Sequence, residues 1–474
     1  MREQEFELNG RTAGQRPATN KTVCARAESP EVGGGNHWSS SENNSNNAVN
    51  VNFDSGNINN NNKGNNNSVR AVSESNQILF ENVDLPSIYE AYFDCRRHKA
   101  STAEYLRFHM DMDRLLYELW QDIIHKKYTP FTSTCFVVTK PVPREIFAAN
   151  FRDRVVHHWI CLRINPLFEA LFQELGDVSH NCRVGYGTSS AVSSLQNHIL
   201  ECSDDFQKEC WVGKFDFKGF FMGIDKVLLW EMLEDFVKTL YNEEDLDCLL
   251  YLLKVTIDNQ PQNNCKRNSP DKMWELIPAN KSLFTNNPNY GLPIGNLTSQ
   301  LFANFFLSYF DWYMTRYLGF SHFVRYVDDF VIVHNDKQHI LDAVPLFRKF
   351  LADELHITLH PDKKYIQRAE RGIKFVGSQL KYSRAYVTNR TCGHFYQKIM
   401  KFNRIARRGK CLEYLEDFRA SMNSYLGFFK HGNNYAMKRK LISKLNKKWY
   451  KYVYFASHFD KVVIKNRYKF NTTI

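Results

Sequence analysis

The chain has 474 residues, a net charge of +11 and a sequence pI of about 9.0. This length is too great for one small hydrophobic core and predicts two or three lobes. The eleven cysteines are scattered without a close CxxC pair, which argues against a disulfide scaffold or a zinc domain and predicts a reduced, cytoplasmic protein. No apolar run approaches the length of a membrane span, so we expect no membrane partner.

The first 75 residues are of low complexity, and residues 57–67 are almost all Asn. Such a segment buries too little apolar surface to offset the entropy that ordering would cost. The sequence therefore predicts a disordered, Asn-rich tail over residues 1–75, followed by folded sequence.

The segment 76–390 mixes helical and strand-like patterns. Apolar spacing predicts helices over residues 106–126, 151–168, 225–241, 297–318 and 340–355. Apolar β-formers predict strands at 135–139, around Phe215 and at 357–359, with a hairpin near 375–377. Residues 258–290 are rich in Asn and Pro and are predicted to form a long irregular insertion. This order of elements predicts an α+β fold.

Residues 391–474 are predicted to be helical and carry nineteen Lys or Arg against four Asp or Glu. This excess of positive charge points to a polyanionic partner. Aromatic residues are interleaved through the same segment. Some of them are candidates for stacking on nucleic-acid bases, and the alternative is that they form the core of a helical bundle.

Two adjacent carboxylates, Asp328 and Asp329, lie between two runs of apolar β-formers in the segment FVRYVDDFVIV (residues 323–333). The pattern predicts a hairpin with both acids at its tip. A solvated turn is the ordinary reading of a lone Asp pair, but two like charges inside an apolar hairpin favour a neutralising cation. Asp216, on an upstream strand, supplies a third carboxylate for a two-metal nucleotidyl-transfer site.

Two motifs in this chain resemble those of reverse transcriptases. YVDD at residues 326–329 resembles motif C, and KFDFKGFF at residues 214–221 resembles motif A. The resemblance implies a right-hand polymerase fold with fingers, a palm built on an antiparallel sheet, and a helical thumb. Fingers and palm are then expected in residues 76–390 and the thumb in residues 391–474.

The resemblance assigns roles to individual residues. Asp216, Asp328 and Asp329 are the expected catalytic carboxylates and ligands of two Mg²⁺ ions, with Mn²⁺ as the alternative metal, and the Phe217 carbonyl is expected to assist. Phe221 is expected to exclude the ribose 2′-hydroxyl, the alternative being that it packs in the core with Phe220.

Three basic positions complete the expected nucleotide site. Arg144 matches the arginine that binds the triphosphate, and Lys140 is a weaker candidate for the same task. Lys363 matches a lysine that protonates the departing pyrophosphate, although the adjacent Lys364 also fits.

The segment GLPIGNLTSQ (residues 291–300) occupies the place of motif B. Most reverse transcriptases have Gln-Gly there and end in Ser-Pro, whereas this chain has Ile294 and Gly295 and ends in Gln300. This departure resembles the reverse transcriptases of diversity-generating retroelements, which copy a template RNA with frequent errors at adenines into cDNA that overwrites a variable gene. Its expected partners are template RNA, the cDNA or primer, dNTPs and a small basic accessory protein.

Two alternatives remain open on the sequence. One is another bacterial reverse transcriptase, such as a retron, group II intron-like or phage-defence enzyme. The other is a catalytically silent RNA-binding protein on a polymerase fold.

Overall fold

The computed structural model describes residues 78–97, 102–139, 142–382, 384–430 and 432–468, and the backbone of four short strands nearer the N-terminus. These strands form a sheet of order β3-β2-β1-β4 within the compact unit of residues 1–77. They are β1 (Asn36–Glu42), β2 (Asn47–Asn52), β3 (Ile58–Asn62) and β4 (Ser68–Val69). The segment predicted as a disordered tail thus contains four described strands, and the rest of it lies outside the described residues.

The second compact unit spans residues 78–474 and begins with a helical lobe. Its helices are α1 (Leu85–Arg96), α2 (Ala103–His109), α3 (Met112–Ile124) and α4 (Phe151–Glu174). The single helix predicted over residues 106–126 is two helices. Asp111 has a φ of −136°, outside the helical range, and is the N-cap of α3. Aspartate is one of the residue types that favour this position over helix interiors.

Between α3 and α4 the chain forms the finger hairpin, made of β5 (Ser133–Val138) and β6 (Arg144–Ala148). A short strand from the predicted insertion, β8 (Cys265–Arg267), pairs in parallel with β5. The insertion is therefore attached to the hairpin by main-chain hydrogen bonds. Its described residues also form α9 (Asp271–Trp274).

The palm sheet is antiparallel and has the order β11-β7-β10-β9. Its strands are β7 (Trp211–Asp216), β9 (Phe323–Tyr326), β10 (Asp329–His334) and β11 (Tyr365–Arg368). The hairpin predicted around Asp328 and Asp329 is β9 and β10. The strand predicted at 357–359 is wrong, because Leu359 makes only an isolated bridge to Phe217.

Successive residues of a strand point to opposite faces of a sheet, and both faces of the palm sheet are apolar. On one face Val324 and Val331 pack with Leu195 and Ile199, which belong to helix α5 (Thr188–Cys202). On the other, Phe330 lies against Phe310, with ring centroids 5.1 Å apart. The helices of this region are α5 (Thr188–Cys202), α6 (Phe220–Gly223), α7 (Lys226–Leu240), α8 (Leu246–Asp258), α10 (Leu297–Phe306), α11 (Ser308–Trp312) and α12 (Lys337–Asp353).

The basic C-terminal segment follows a three-stranded sheet of β12 (Ile373–Phe375), β13 (Ser378–Lys381) and β14 (Arg384–Val387). Three helices then form the thumb bundle: α13 (Asn389–Arg407), α14 (Leu415–Lys430) and α15 (Tyr435–Ile442). Sequence patterning did not predict the closing hairpin of β15 (Val453–Ala456) and β16 (Lys461–Ile464).

The thumb bundle has its own core, in which the rings of Phe418 and Trp449 stack with centroids 4.0 Å apart. Most of the interleaved aromatic residues pack into this core. Five of the described ones are exposed instead: Tyr396, Phe428, Tyr435, Tyr450 and Tyr454. Most of these rings therefore form the core of a helical bundle, which was the alternative interpretation. The exposed rings remain candidates for stacking on nucleic-acid bases. None of the helices in the described part of the chain combines the length and apolar character that crossing a lipid bilayer requires.

A fully buried ion pair lies under the β9–β10 turn. The Arg325 Nε donates to the Asp311 Oδ1 at 2.7 Å, and neither side chain is exposed. The same guanidinium donates to the Val327 carbonyl at 3.3 Å and to the Asn304 carbonyl at 3.4 Å. Arg325 therefore ties the turn that carries Asp328 to α10 and α11.

We expect Arg325→Met to destabilise the protein by roughly 3–5 kcal/mol, because it leaves the Asp311 carboxylate buried without its cation. Adding Asp311→Leu should recover part of this loss, since the unpaired charge is then removed as well. Urea denaturation followed by tryptophan fluorescence measures both effects. The control is Arg114→Ala, which breaks an exposed ion pair on α3 and should cost less than about 1 kcal/mol. A comparable loss in the control would contradict the argument.

Candidate active site

The palm sheet brings together the three carboxylates that the sequence singles out. In the register of β7 and β10, Asp216 lies directly opposite Asp329. Asp328 belongs to the two-residue turn between β9 and β10, and its carbonyl accepts a hydrogen bond from the Phe217 N–H at 3.2 Å. Strand pairing therefore gathers side chains that lie far apart in the sequence.

Burial and neighbouring like charges raise the proton affinity of Asp328 and Asp329. Burial, followed by the charges of Asp216 and Asp329, raises the pKa of Asp328 to about 6. Burial also raises the pKa of Asp329, and the nearby Lys214 ammonium opposes this shift. Such a cluster carries its full negative charge at neutral pH only at an energetic cost.

The donor set fits a hard divalent cation. Carboxylate oxygens are the ligands that Mg²⁺ prefers. The Asp216 Oδ1 is buried and has no hydrogen-bond partner among the described residues. A buried, unpartnered carboxylate oxygen beside two further carboxylates is the arrangement that a bound cation satisfies.

Three cationic side chains surround the cluster. The Lys363 Nζ lies 2.7 Å from the Asp216 Oδ2, and the Lys214 Nζ lies 3.3 Å from the Asp329 Oδ1. The Arg144 guanidinium, at the start of β6, opposes the upward shift in the pKa of Asp328. The contact with Asp216 favours Lys363 over the adjacent Lys364 for the role expected in this segment.

A cavity of 880 Å³ between the finger hairpin and the palm sheet is lined by the three carboxylates, Arg144 and Lys363. Of the residues predicted for the nucleotide site, Arg144, Phe217, Phe221, Ile294 and Gln300 line it together with the three carboxylates and Lys363. Lys140 lies outside the described residues. The structure thus places most of the predicted set around one cavity.

The two aromatic residues after the Asp216 strand differ in environment. Phe220 is 3% exposed and belongs to the core, with its ring 5.8 Å from that of Phe217. Phe221 is half-buried and lines the cavity from α6. Phe220 also lines the cavity, and Phe221 also packs against the buried core, so the role of Phe221 stays a prediction.

The segment 291–300 is attached to the finger hairpin through its main chain. The Phe147 N–H donates to the Ile294 carbonyl at 2.7 Å, and the Ala149 N–H donates to the Asn296 Oδ1 at 3.2 Å. Gly295 has a φ of +126°, and a Cβ there would lie 2.7 Å from the Phe147 carbonyl oxygen. Gly295 therefore serves the close approach of the two segments, while Ile294 and Gln300 reach the cavity.

Sequence reasoning missed several cavity residues. Asn280 and Lys281 come from the predicted insertion, and Thr188 comes from the start of α5. The insertion is held against the hairpin by the Glu145 carboxylate, which accepts a hydrogen bond from the Ser282 Oγ at 2.8 Å and one from the Leu283 N–H. Only the basic character of Lys281 signalled a binding role, and no local pattern linked it to the palm.

The palm sheet is antiparallel and carries acidic side chains at the ends of its two central strands. Together with a finger hairpin and a helical thumb it defines a right-hand polymerase fold, as the sequence predicts. A family model described as reverse transcriptase (RNA-dependent DNA polymerase) matches residues 140–380, which is half of the chain and includes all three carboxylates. The chain therefore belongs to the reverse transcriptase family. Members of this family generally use divalent metal ions. No curated protein matches the chain.

Solved structures similar to the chain include two telomerases. The apo telomerase of Candida tropicalis truncated from the C-terminal domain has a TM-score of 0.40 and 13% identity, with 54% of this chain and 55% of that one covered. Telomerase of Candida albicans in complex with a TWJ fragment of telomeric RNA has a TM-score of 0.39 and 14% identity, with coverages of 66% and 54%. The chain thus spans little more than half the length of these structures.

The raised pKa of Asp328 predicts a dependence of stability on pH. Because the pKa in the folded protein, about 6, lies above the ordinary value of 3.8, the folded state holds this proton more tightly than the unfolded chain. The contribution of Asp328 to the free energy of unfolding of the metal-free protein should therefore fall as pH rises from about 4 through about 6.

Asp328→Asn removes this charge and should stabilise the metal-free protein at pH 7.5 by on the order of 1–2 kcal/mol. The gain should shrink at pH 5. Urea denaturation in the presence of a chelator measures both values, with Asp342→Asn on the exposed face of α12 as the matched control. A gain that is equal at both pH values, or equal in the control, would contradict charge repulsion as its cause.

Proposed function

We propose that this chain is an RNA-directed DNA polymerase that extends a DNA or primer end along an RNA template. The observation that carries the proposal is the pairing of Asp216 with Asp329 across β7 and β10, with Asp328 in the adjoining turn and a basic cavity beside them. Fingers and palm are assigned to residues 76–390 and the thumb to residues 391–474.

Asp216, Asp328 and Asp329, with the Phe217 carbonyl, are proposed to hold two divalent ions, Mg²⁺ or alternatively Mn²⁺. Bound ions of this kind activate an attacking 3′-hydroxyl and stabilise the charge of the leaving pyrophosphate. The buried Asp216 Oδ1 supports the assignment. This oxygen has no hydrogen-bond partner among the described residues, and a bound metal ion would supply one.

The basic residues around the cavity divide the remaining work. Arg144 is proposed to bind the triphosphate of the incoming dNTP, since a guanidinium binds phosphate oxygens in a planar, two-pronged arrangement. Lys140, four residues earlier in the sequence, is proposed to assist it. Lys363 is proposed to give a proton to the departing pyrophosphate, and its contact with Asp216 supports a place beside the reacting groups.

We further propose that the enzyme belongs to the diversity-generating retroelement type and makes cDNA with errors at template adenines, for transfer into a variable gene. Ile294, Gly295 and Gln300 support this subtype, and two of them line the cavity. The proposed partners are a template RNA and a small basic accessory protein. The scattered cysteines support a cytoplasmic location.

Two other functions give different experimental outcomes. A retron, group II intron-like or phage-defence enzyme would lack a nearby pair of template and variable repeats that differ at adenines. A catalytically silent RNA-binding protein would bind RNA but fail to extend a primer. Primer extension and sequencing of the cDNA from the native locus separate the three.

Asp216→Ala and Asp328→Ala should each abolish DNA synthesis and leave RNA affinity within about twofold, because affinity comes from phosphate contacts elsewhere on a basic surface. Primer extension with Mg²⁺ and filter binding of the template measure the two effects. Asp342→Ala, an exposed carboxylate of α12, is the control and should extend normally. Extension that survives in either active-site variant would refute the assignment.

Phe221→Ala should let ribonucleotides compete with deoxynucleotides, because the ring that lines the cavity no longer meets the ribose 2′-hydroxyl. The ratio of kcat/KM for a dNTP to that for the matching rNTP should fall by at least about tenfold, or about 1.4 kcal/mol. Phe168→Leu is the control, since that ring is buried in α4 and is not among the cavity residues, and the ratio should stay unchanged. An unchanged ratio in Phe221→Ala would make Phe221 a packing residue.

Ile294→Gln should lower misincorporation opposite template adenine several-fold and leave correct extension largely intact. An amide at this position of the cavity wall adds a hydrogen bond, and one positioned bond is worth about 1 kcal/mol in discrimination. Ile294→Leu, which changes shape alone, is the control. An adenine error rate identical to that of the wild type, in a folded and active variant, would reject this role for Ile294.

A further inference from the structure

A group of metal-ligating side chains lies on the palm away from the carboxylate cluster. Among the residues that the structure describes, His198, Glu201 and His322 form a trio whose ligand atoms all lie within 4.8 Å of one another. His198 and Glu201 are on α5, one helical turn apart, so both side chains reach the same face. His322 immediately precedes β9 and joins them from the sheet.

The distances between the ligand atoms suit one small ion. The two Nδ1 atoms are 3.2 Å apart. The Glu201 Oε2 lies 3.9 Å from the Nδ1 of His198 and 3.7 Å from that of His322. A zinc ion about 2.0–2.1 Å from two imidazole nitrogens in tetrahedral geometry holds those nitrogens roughly 3.3 Å apart.

Both imidazoles are ready to bind a metal. Burial lowers the pKa of His198 to about 4 and also lowers the pKa of His322, so both rings are uncharged at neutral pH. The Ser194 Oγ lies 3.4 Å from the Nε2 of His198. A proton on Nε2, donated to this hydroxyl, leaves the Nδ1 lone pair facing Glu201 and His322, which is how outer partners orient metal-binding histidines.

We propose that His198, Glu201 and His322 form a binding site for a divalent transition metal of the zinc type. Two histidines and one carboxylate are a ligand set for this class of ion, and three protein ligands leave a position for water. An ion there joins the C-terminal part of α5 to the start of β9. Its role is to strengthen the packing of α5 on the palm sheet, apart from any ions at Asp216 and Asp328.

The site is separate from the carboxylate cluster. His322 and Asp328 stand at opposite ends of β9, which at about 3.3 Å per residue is on the order of 13 Å long. Thr188, which lines the cavity, and Glu201 are at opposite ends of α5, roughly 20 Å apart at about 1.5 Å per residue. Loss of the proposed metal should therefore leave Mg²⁺-dependent extension unchanged.

Titration of the full-length protein with Zn²⁺, followed by calorimetry, tests the proposal. It is carried out in the Asp216→Ala/Asp328→Ala background, so that the carboxylate cluster does not compete for the ion. One equivalent should bind and raise the melting temperature. His198→Gln and His322→Gln should each lower the affinity roughly tenfold or more, since even outer partners of a metal site are worth about 10–100-fold.

Two variants serve as controls, and a third tests the carboxylate ligand. His334→Gln and Cys202→Ser change neighbouring ligand-type residues outside the trio and should bind Zn²⁺ like the parent. Glu201→Gln removes the proposed carboxylate ligand and should weaken Zn²⁺ binding, and because this side chain is exposed the variant should keep the melting temperature of the metal-free parent. Co²⁺ bound in place of Zn²⁺ should give visible absorption bands without a thiolate charge-transfer band, which would identify nitrogen and oxygen ligands.

Three results would overturn the site. They are the absence of a stoichiometric Zn²⁺ site, unchanged affinity in both histidine variants, and equal loss of affinity in His334→Gln or Cys202→Ser. A fall in the melting temperature of the metal-free histidine variants, with Zn²⁺ affinity retained, would reduce the trio to a hydrogen-bonded pair that stabilises α5.

Discussion

The mutual repulsion of Asp216, Asp328 and Asp329 is the constraint that the palm has to overcome. Like charges in a half-buried site push their own pKa values upward, as at Asp328, and on their own they would separate. The antiparallel register of β7 and β10 prevents this, because a run of main-chain pairs fixes Asp216 opposite Asp329. A slip of one residue would send these side chains to the other face of the sheet, so the apolar packing on both faces also fixes the position of the charges.

The turn between β9 and β10 is held in an unfavourable conformation. Val327 has a φ of +56°, a region that β-branched residues avoid and that costs about 1–3 kcal/mol. Arg325 accounts for its persistence, because its buried guanidinium donates to the Val327 carbonyl while Asp311 neutralises its charge. The ion pair contributes little favourable energy by itself. Its effect is to make one turn geometry, and thus one position of Asp328, much better than the alternatives.

The sequence was most informative where the pattern was local. The apolar runs around Asp328 and Asp329 are sufficient to predict a hairpin. The predicted site also requires the strand of Asp216 to lie beside this hairpin, and β7 does pair with β10. The position of Lys281 at the cavity was not predictable. It depends on the pairing of β8, in the insertion, with β5, and on the hydrogen bond that Glu145 accepts from the Leu283 N–H. The metal-ligating trio was missed for the same reason, because His322 lies more than a hundred residues from His198 in the sequence.

The segment 291–300 is attached to the finger hairpin mainly through groups other than the side chain of residue 294. The loop is held by the Ile294 carbonyl and the Asn296 side chain on the finger hairpin, and by the close fit of Gly295 against Phe147. None of these contacts uses the side chain of residue 294. The hydrogen bonds that hold the cavity wall therefore do not depend on the side chain of Ile294, which adds apolar packing against the cluster around Phe147. Under the proposed function, isoleucine there offers shape and no hydrogen bond, which would lower the energetic difference between correct and incorrect base pairs while the carboxylate cluster stays intact.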